Sequence, residues 1–243
     1  GGDGGGEGDD AAGDAEVDGL YEHFGDYHSY LWDRFGRASY DDDGAPMVGT
    51  VRSPTATGNA YWDPVAEEMH YGEGYATLDV TAHELSHALI SSTADLVYEG
   101  ESGALNEAIA DMFASNLDDN WTIGEDLPDG AIRDLSDPEA HGQPAHVDDF
   151  VDTDLDHGGV HTNSGIPNHA YYLMVEELGR DASEQILYRA LTEHLTSTSG
   201  FEDFRTAALE AAEELYGADS VEHEGVDEAF AGVGLDGTWE APS

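Results

Sequence analysis

The amino-acid sequence predicts an α+β protein that is mainly α-helical, with a small mixed N-terminal part and a helical C-terminal domain. Apolar residues recur at helical spacing from Val17 to Phe35 and again in most of the chain after Leu78. Between these stretches, residues 46–76 hold the only strand-like region of any length, where short extended segments are broken by Gly and Pro. A single small strand region followed by many helices therefore predicts a small mixed segment and a helical body.

Three parts of the chain differ in composition, and we expect them to differ in structure. Residues 1–13 hold only Gly, Ala, Asp and Glu, which predicts a disordered acidic tail. Residues 14–94 are predicted to form a reduced N-terminal part, and residues 95–243 the helical C-terminal domain. The chain begins at Gly1 instead of Met and shows no signal peptide, so we expect a processed product.

Apolar periodicity and stop signals predict the individual elements. The first helix runs from about Val17 to Phe35 and ends at Gly36. Strand candidates lie around residues 47–51, 60–62 and 69–71. Further helices are predicted at residues 78–91, 103–117, 164–178, 181–196, 201–215 and 220–230. Gly, Pro and acidic residues fill the stretch 118–160, where we expect mostly irregular structure.

The chain is extremely acidic, with 54 Asp and Glu residues against 7 Arg, no Lys and a formal net charge of −47. Such a charge repels nucleic acids and anionic membranes, and no run of about 18 apolar residues could span a bilayer. The acidic residues are spread along the chain, which favours adaptation to high salt over a surface built for a basic ligand. Because salt screens the self-repulsion, we expect the fold to loosen at low ionic strength. Cysteine is absent, so the chain has no disulfides, and bound calcium is a candidate for stabilising the fold in their place.

The segment HELSH at residues 83–87 has the pattern of a zinc-binding helix. His83 and His87 are four residues apart, so both imidazoles project from one helix face and can bind one metal ion. Glu84 is the next residue round the helix, and its carboxylate can reach a water molecule bound to that metal. The metal lowers the pKa of this water to about 7. A five-residue pattern with two free positions also occurs by chance. Here the apolar residues around it predict a buried helix, in which a functionless Glu would be costly.

A third metal ligand is predicted about one helix–turn–helix unit later. Glu107 and Asp111 are again four residues apart on a helix, flanked by apolar residues that indicate packing. Glu107 can complete the ligand set. Asp111 can accept a hydrogen bond from the second ring nitrogen of a ligand histidine and so fix its tautomer. The alternative is a pair of solvated carboxylates on an acidic surface.

Several motifs, in this order, resemble those of the thermolysin family of neutral metallopeptidases. They are NAYW at 59–62, DVTAHELSH at 79–87, Tyr98, GALNEAIAD at 103–111, IRDLSDP at 132–138 and DHGGVHTNSG at 156–165. The resemblance covers about residues 15–235 and implies the family's fold, in which a zinc cleft lies between the N-terminal part and the helical domain.

The resemblance implies a role for each catalytic position. His83, His87 and Glu107 correspond to the ligands of one zinc ion, with Asp111 as the partner of a ligand histidine. Glu84 corresponds to the base that takes a proton from water and passes it to the leaving amine.

Two further residues correspond to the pair that stabilises the oxyanion during peptide hydrolysis. They are His161 and Tyr98, and Asp156 corresponds to the residue that orients His161. Donors of this kind are typically worth about 3–4 kcal/mol of transition-state stabilisation each.

The resemblance also implies an endopeptidase that cuts internal peptide bonds before bulky apolar residues. Asn59, Ala60 and Arg133 correspond to groups that hold the substrate backbone. The walls of the apolar pocket correspond to Val80, Ile123, Leu127 and Ile132. By the family's habit we expect a secreted protein, and we expect a monomer that acts on peptides or proteins.

The chain departs from the family pattern in two places. Because the sequence starts close to the first helix, we expect most of the family's β-rich domain ahead of that helix to be missing, one wall of the cleft to be reduced and the substrate range to be affected. Positions that resemble calcium ligands are Asp79, Asp118, Asn120, Thr122 and Glu125. Because Asn120 and Thr122 stand where carboxylates are usual, we expect at least one calcium ion, and the smaller number of charges favours one over two.

Two other functions are compatible with these motifs. The missing N-terminal wall would suit a catalytically weak, zinc-containing peptide-binding or adhesion module, although such proteins usually lose the base or the oxyanion donors. An exopeptidase would need a group that binds a free chain terminus, and the sequence shows no signal for one.

Overall fold

The computed structural model describes residues 13–242, so the acidic tail predicted at residues 1–13 lies outside the described residues except for Gly13. The helices are α1 (Ala15–Phe35), α2 (Leu78–Ser91), α3 (Gly100–Asp118), α4 (Asp156–Asn163), α5 (Gly165–Leu178), α6 (Arg180–Arg189), α7 (Phe201–Tyr216) and α8 (Val221–Gly232). The strands are β1 (Gly49–Thr50), β2 (Ala60–Asp63), β3 (Glu68–Tyr71), β4 (Thr122–Ile123) and β5 (Arg133–Asp134). The predicted α+β, mainly α architecture is confirmed.

Helix α1 begins and ends where its local chemistry requires. The Asp14 carboxylate accepts hydrogen bonds from the backbone N–H groups of Glu16 (3.1 Å) and Val17 (3.4 Å), which caps the first turn. Gly36 ends the helix in a left-handed conformation with φ of 69°. One face of α1 is buried, and the Tyr27 hydroxyl on that face lies 2.9 Å from Ser86 Oγ of α2.

A small three-stranded sheet lies against α2. Its strand order is β1-β3-β2, with β1 parallel and β2 antiparallel to the central β3. Ala60 pairs with Tyr71, and Asp63 with Glu68, so the β2–β3 hairpin brings the start of β2 to the site described below.

Helices α2 and α3 form the centre of the molecule. They pack against each other, α3 also contacts α4 and α5, and α5, α7 and α8 complete the C-terminal body. Both central helices are buried over most of their length, including the polar residues His83, Glu84, Glu107 and Asp111. Because buried polar groups need partners, these side chains must be satisfied by one another or by a ligand.

The structure differs from the predicted elements in two regions. The stretch 118–160 contains the β4–β5 ribbon, two 3₁₀ turns and the start of α4, since strands of two residues are too short to leave a periodic pattern. The helix predicted at 181–196 is α6 followed by a π-helical turn at Ala190–His194, where the Leu195 N–H donates to the Ala190 carbonyl at 2.9 Å. In the described part of the chain, no helix is long and apolar enough to cross a membrane.

Candidate active site

Three side chains from the two central helices converge on one point. His83 and His87 project from one face of α2, and their Nε2 atoms are 3.0 Å apart. Glu107 faces them from α3, with Oε2 at 3.4 Å from His83 Nε2 and Oε1 at 3.4 Å from His87 Nε2. Of all residues from 13 to 242, these form the only group of three or more His, Cys, Asp or Glu side chains whose ligand atoms converge closely enough to hold a metal ion.

The triad fits a zinc ion by distance and by chemistry. Tetrahedral zinc binds His nitrogen and carboxylate oxygen at about 2.0–2.1 Å, which separates neighbouring ligand atoms by about 3.4 Å. Glu107 Oε2 is buried and has no hydrogen-bond partner among the described residues. Its ion-pair partners are His83 Nε2 at 3.4 Å and Arg133 Nη2 at 3.9 Å, so a metal ion at the point of convergence would give it a direct ligand bond. Burial raises the pKa of Glu107, but His87 and His83 outweigh it and hold the pKa well below its usual value, so the carboxylate is ionised.

The second ring nitrogens of both histidines face oxygen acceptors. His83 Nδ1 lies 2.9 Å from Asp111 Oδ1, and His87 Nδ1 lies 2.8 Å from Asn106 Oδ1. Asn106 is itself held by a hydrogen bond from its Nδ2 to the Leu96 carbonyl at 3.1 Å. With the proton on Nδ1, each histidine would turn the lone pair of its Nε2 towards the point where the three side chains converge, which is the tautomer that binds a metal ion.

Asp111 is the centre of a fully buried polar cluster. Arg133 donates to it from Nε and from Nη2, each at 2.7 Å, and Asn168 donates from Nδ2 at 2.9 Å. Burial raises the pKa of Asp111, but the Arg133 charge and the contact with His83 lower it to about 2. The carboxylate thus stays ionised and ties α2, α3, β5 and α5 together at the site.

Tyr98 and His161 lie at the edge of the triad. His161 Nε2 is 3.3 Å from the Tyr98 hydroxyl and 3.4 Å from Glu107 Oε1, and Tyr98 donates to the same Glu107 oxygen. Asp156 holds His161 through both its Nδ1 and its backbone N–H, each at 2.9 Å. Burial and the Glu107 charge raise the pKa of Tyr98, so its hydroxyl remains a donor at neutral pH.

An unusual left-handed turn positions His161. Asp156, His157, Gly158 and Gly159 all have positive φ, at 52°, 52°, 85° and 76°. A Cβ atom on Gly158 would lie 2.9 Å from the Cα and N atoms of Gly100, so only Gly allows this approach to the start of α3.

A cleft of about 900 Å³ opens over the triad. Glu84 lines it and is 6% exposed, and its carboxylate accepts no hydrogen bond from residues 13–242, so the carboxylate is free to act on a molecule in the cleft. Arg133 also lines the cleft, and its Nη1 has no hydrogen bond within the described chain. Asn59 and Ala60 lie on the wall formed by the start of β2.

One end of the cleft is apolar. Its walls are the four residues proposed from the sequence: Val80, Ile123, Leu127 and Ile132. Gly124 leaves room there, because a Cβ atom at this position would lie 2.7 Å from Leu127 Cδ1 and 3.2 Å from Ile132 Cγ1. Every substrate-binding residue predicted from the sequence therefore lines one cleft.

Comparison with known proteins identifies the family. The family model described as thermolysin metallopeptidase, catalytic domain, matches residues 6–91, and that of the alpha-helical domain matches residues 94–235. The chain belongs to the thermolysin metallopeptidase family. The histidines on α2 and the glutamate on α3 thus lie in the two matched domains, one on each side of the junction near residue 92.

Individual members of the thermolysin family resemble the chain over most of its length. An extracellular elastase of Staphylococcus epidermidis is 42% identical over 227 residues, which are 86% of this chain and 44% of that protein. Neutral protease NprE of Bacillus pumilus is 42% identical over 236 residues, 91% of this chain and 77% of that protein. The solved structure of the precursor of protealysin from Serratia proteamaculans matches with a TM-score of 0.86 and 31% identity, covering 94% of this chain and 81% of that one. The chain thus spans less than half the length of the elastase.

The predicted calcium ligands form a crowded acidic pair. Asn120 Nδ2 donates to Asp118 Oδ2 at 2.6 Å and to Glu125 Oε1 at 2.5 Å, so its amide N–H₂ bridges the two carboxylates. Burial, Glu125 and Asp79 raise the pKa of Asp118 to about 6. The Asp79 carboxylate accepts hydrogen bonds from Thr77 Oγ1 at 2.6 Å and from the backbone of Gly124. Among the described residues, these carboxylates do not converge as closely as the ligand atoms of His83, His87 and Glu107 do.

Sequence reasoning missed two side chains of the site in this thermolysin-family member. Asn106 and Asn168 hold His87 and Asp111, yet neither was predicted. The available signal was a polar amide inside a helix that is otherwise apolar, because such a group needs a hydrogen-bond partner when it is buried.

Proposed function

We propose that this chain is a zinc-dependent endopeptidase that hydrolyses internal peptide bonds before bulky apolar residues. The observation that carries the proposal is the convergence of His83, His87 and Glu107 beside a buried carboxylate, Glu84, that has no hydrogen bond from the described residues. Membership of a metallopeptidase family supports it. The apolar end of the cleft supports the preference for a bulky apolar side chain.

The contacts support a role for each of these side chains. His83, His87 and Glu107 would hold zinc, which supplies Lewis-acid activation of a water molecule near neutral pH. Glu84 takes a proton from the attacking water and delivers it to the leaving amine. His161 and Tyr98 donate hydrogen bonds to the oxyanion that develops at the substrate carbonyl, and Asp156 holds His161 in place for this.

Arg133 has two proposed roles. Its Nε and Nη2 hold Asp111, while its Nη1 is available for a substrate carbonyl in the cleft. Asn59 and Ala60 on β2 are proposed to hold the extended substrate backbone beside them. We also propose peptides or proteins as the only class of partner, a monomeric state, and secretion, which the name of the staphylococcal extracellular elastase supports.

Removal of zinc tests the proposed activity. A zinc chelator should abolish casein hydrolysis, and stoichiometric zinc should restore it, because three ligands of the chain are required to hold the ion. The assay is run in molar sodium chloride with calcium, and the products of a long peptide are mapped by mass spectrometry. Internal cuts before Leu, Ile or Phe are expected. Trimming from one terminus would indicate an exopeptidase, and zinc binding without cleavage would indicate a peptide-binding module.

We propose that the acidic surface is an adaptation to high salt. We also propose that one calcium ion is bound by Asp79, Asp118, Asn120 and Glu125. Because the pKa of Asp118 is raised from 3.8 to about 6 in the folded protein, its carboxyl stabilises the fold below its unfolded pKa. That stabilisation is lost as the pH rises through about 6. At pH 7 a bound cation would remove the resulting repulsion.

Thermal unfolding at pH 7 tests the calcium proposal. Calcium should raise the Tm of the unmodified protein, and Asp118→Asn should raise the Tm in chelator, by roughly 2–4 °C for each kcal/mol gained, while reducing the calcium effect. Asp129→Asn, at an exposed acidic position on the loop before β5, is the matched control and should change neither value. A calcium response that is equal in Asp118→Asn would contradict the site. In the same series, a Tm that does not rise with sodium chloride would contradict the salt adaptation.

A further inference from the structure

Asp95 is a cleft residue that the proposed function does not use. Its exposed side chain lines the cleft, and its carboxylate takes part in no hydrogen bond or ion pair within residues 13–242. The other carboxylates on the cleft wall, Glu84 and Glu107, both belong to the proposed catalytic centre. Asp95 therefore presents an uncompensated negative charge to any molecule bound away from that centre.

The axis of α2 shows where Asp95 stands relative to the centre. Val80, in the apolar end of the cleft, is four residues before Glu84, or about 6 Å along a helix that rises 1.5 Å per residue. Ser91, which also lines the cleft, is seven residues after Glu84, or about 10 Å in the other direction. The Asp95 N–H donates to the Ile90 carbonyl at 2.8 Å, so the turn after α2 folds back beside its last residues. Asp95 and the apolar pocket thus lie on opposite sides of the centre.

This distance corresponds to two or three substrate residues. An extended peptide advances about 3.3 Å per residue, so about 10 Å is the span of roughly three residues. In the proposed function, the apolar pocket takes the residue that follows the cleaved bond. The Asp95 end of the cleft therefore receives residues that precede it.

The charges on the cleft wall favour a basic side chain at this end. Arg133 is the only Lys or Arg among the described residues that line the cleft, and it lies at the catalytic centre with two of its nitrogens on Asp111. No basic residue therefore competes for Asp95. We propose that Asp95 is a specificity-determining residue, which selects peptides with Lys or Arg at the second or third position before the cleaved bond. This proposal rests on the proposed endopeptidase function.

The backbone at Asp95 allows a clean test. Its φ of 52° lies in the left-handed region, which Asp and Asn both tolerate better than most residues. Asp95→Asn therefore removes the charge and keeps the size and the backbone preference. Asp219→Asn, at an exposed acidic position in the turn between α7 and α8, removes one charge away from the cleft and is the matched control.

The experiment compares kcat/KM for peptides that differ only at the second or third position before the bond, which carries Arg, Gln or Glu. It is run with zinc, at the lowest salt concentration that leaves the melting curves unchanged. The Arg peptide should be cleaved about fivefold more efficiently than the Glu peptide at one of the two positions, which is the upper end of the range for one exposed ion pair. The ratio should fall to below about twofold in Asp95→Asn and stay unchanged in Asp219→Asn.

Each other outcome has a distinct meaning. An Arg preference that survives in Asp95→Asn would overturn the proposal and assign the preference to the net charge of the whole chain. An equal rate for the Arg and Glu peptides in the unmodified protein would overturn it as well, while leaving the endopeptidase function intact. If the unmodified protein does not cleave the Gln peptide, the proposed function itself fails, and this inference with it.

Discussion

Replacing Glu84 by Gln is expected to lower kcat/KM for an internal peptide bond by about 100- to 10,000-fold, the range for loss of a general base. The amide has nearly the shape of the carboxylate but cannot accept a proton from water. The unmodified carboxylate has no hydrogen bond from residues 13–242 to lose, and a buried charge is removed, so the Tm should stay the same or rise. Loss of activity with an unchanged fold is the signature of a catalytic side chain.

Three measurements make the Glu84→Gln result unambiguous. Zinc content by metal analysis should remain one per chain, because the proposed ligands His83, His87 and Glu107 are untouched. The control Glu213→Gln, at an exposed acidic position on α7, should retain full activity. Casein hydrolysis by Glu84→Gln at the level of the unmodified protein would show that another group supplies the base, and would remove the central step of the proposed mechanism.

Local sequence patterns predicted the helix that carries two of the three candidate metal ligands. The predicted limits of α2 coincide with the observed Leu78–Ser91, because a continuous apolar run marks a buried helix from end to end. The spacing of four between His83 and His87 requires only one helical turn to bring them together. Glu107 could be assigned because it also lies on a strongly apolar helix, and the structure brings it within 3.4 Å of both histidines.

The supporting contacts could not be predicted in the same way. Asn106 meets His87 across 19 positions of sequence, and Asn168 meets Asp111 across 57, so neither pair leaves a local periodic signal. The close approach of Gly158 to Gly100 is likewise a contact between distant segments. Helical periodicity determines which face of each helix is buried, whereas such pairings depend on how the helices pack against one another.

The double role of Arg133 illustrates the same limit. The resemblance to the family predicted a group that binds the substrate backbone, and the residue does line the cleft. Its two hydrogen bonds to Asp111, each 2.7 Å, became apparent only in three dimensions. These bonds connect Arg133, which lines the cleft, to Asp111, which lies 2.9 Å from His83 Nδ1.

Replacing Asp111 by Ala is expected to have the largest effect on stability, about 3–5 kcal/mol of unfolding free energy, because it leaves a buried charge without its partner. Arg133 is 8% exposed and would lose both of its hydrogen bonds to Asp111, which leaves only the more distant Glu107 carboxylate, 3.9 Å away, to balance its charge, while Asn168 would lose the acceptor of its amide. His83 would also lose the oxygen that fixes its tautomer, so zinc affinity should fall about 10- to 100-fold. Urea unfolding in the presence of chelator measures the first effect, and zinc titration against a competing chelator measures the second.

A second substitution separates the lost ion pair from simple loss of packing. Removing both members of a buried pair is much less costly than removing one, so Arg133→Met added to Asp111→Ala should recover a large part of the lost stability. It should not restore zinc affinity, because His83 still lacks its acceptor. If the double variant is as unstable as the sum of the two single variants, the residues act independently, and the cluster around Asp111 does not hold the site together through its charges. Recovery of stability without recovery of zinc binding would show that Asp111 has two separable functions, one in neutralising Arg133 and one in orienting His83.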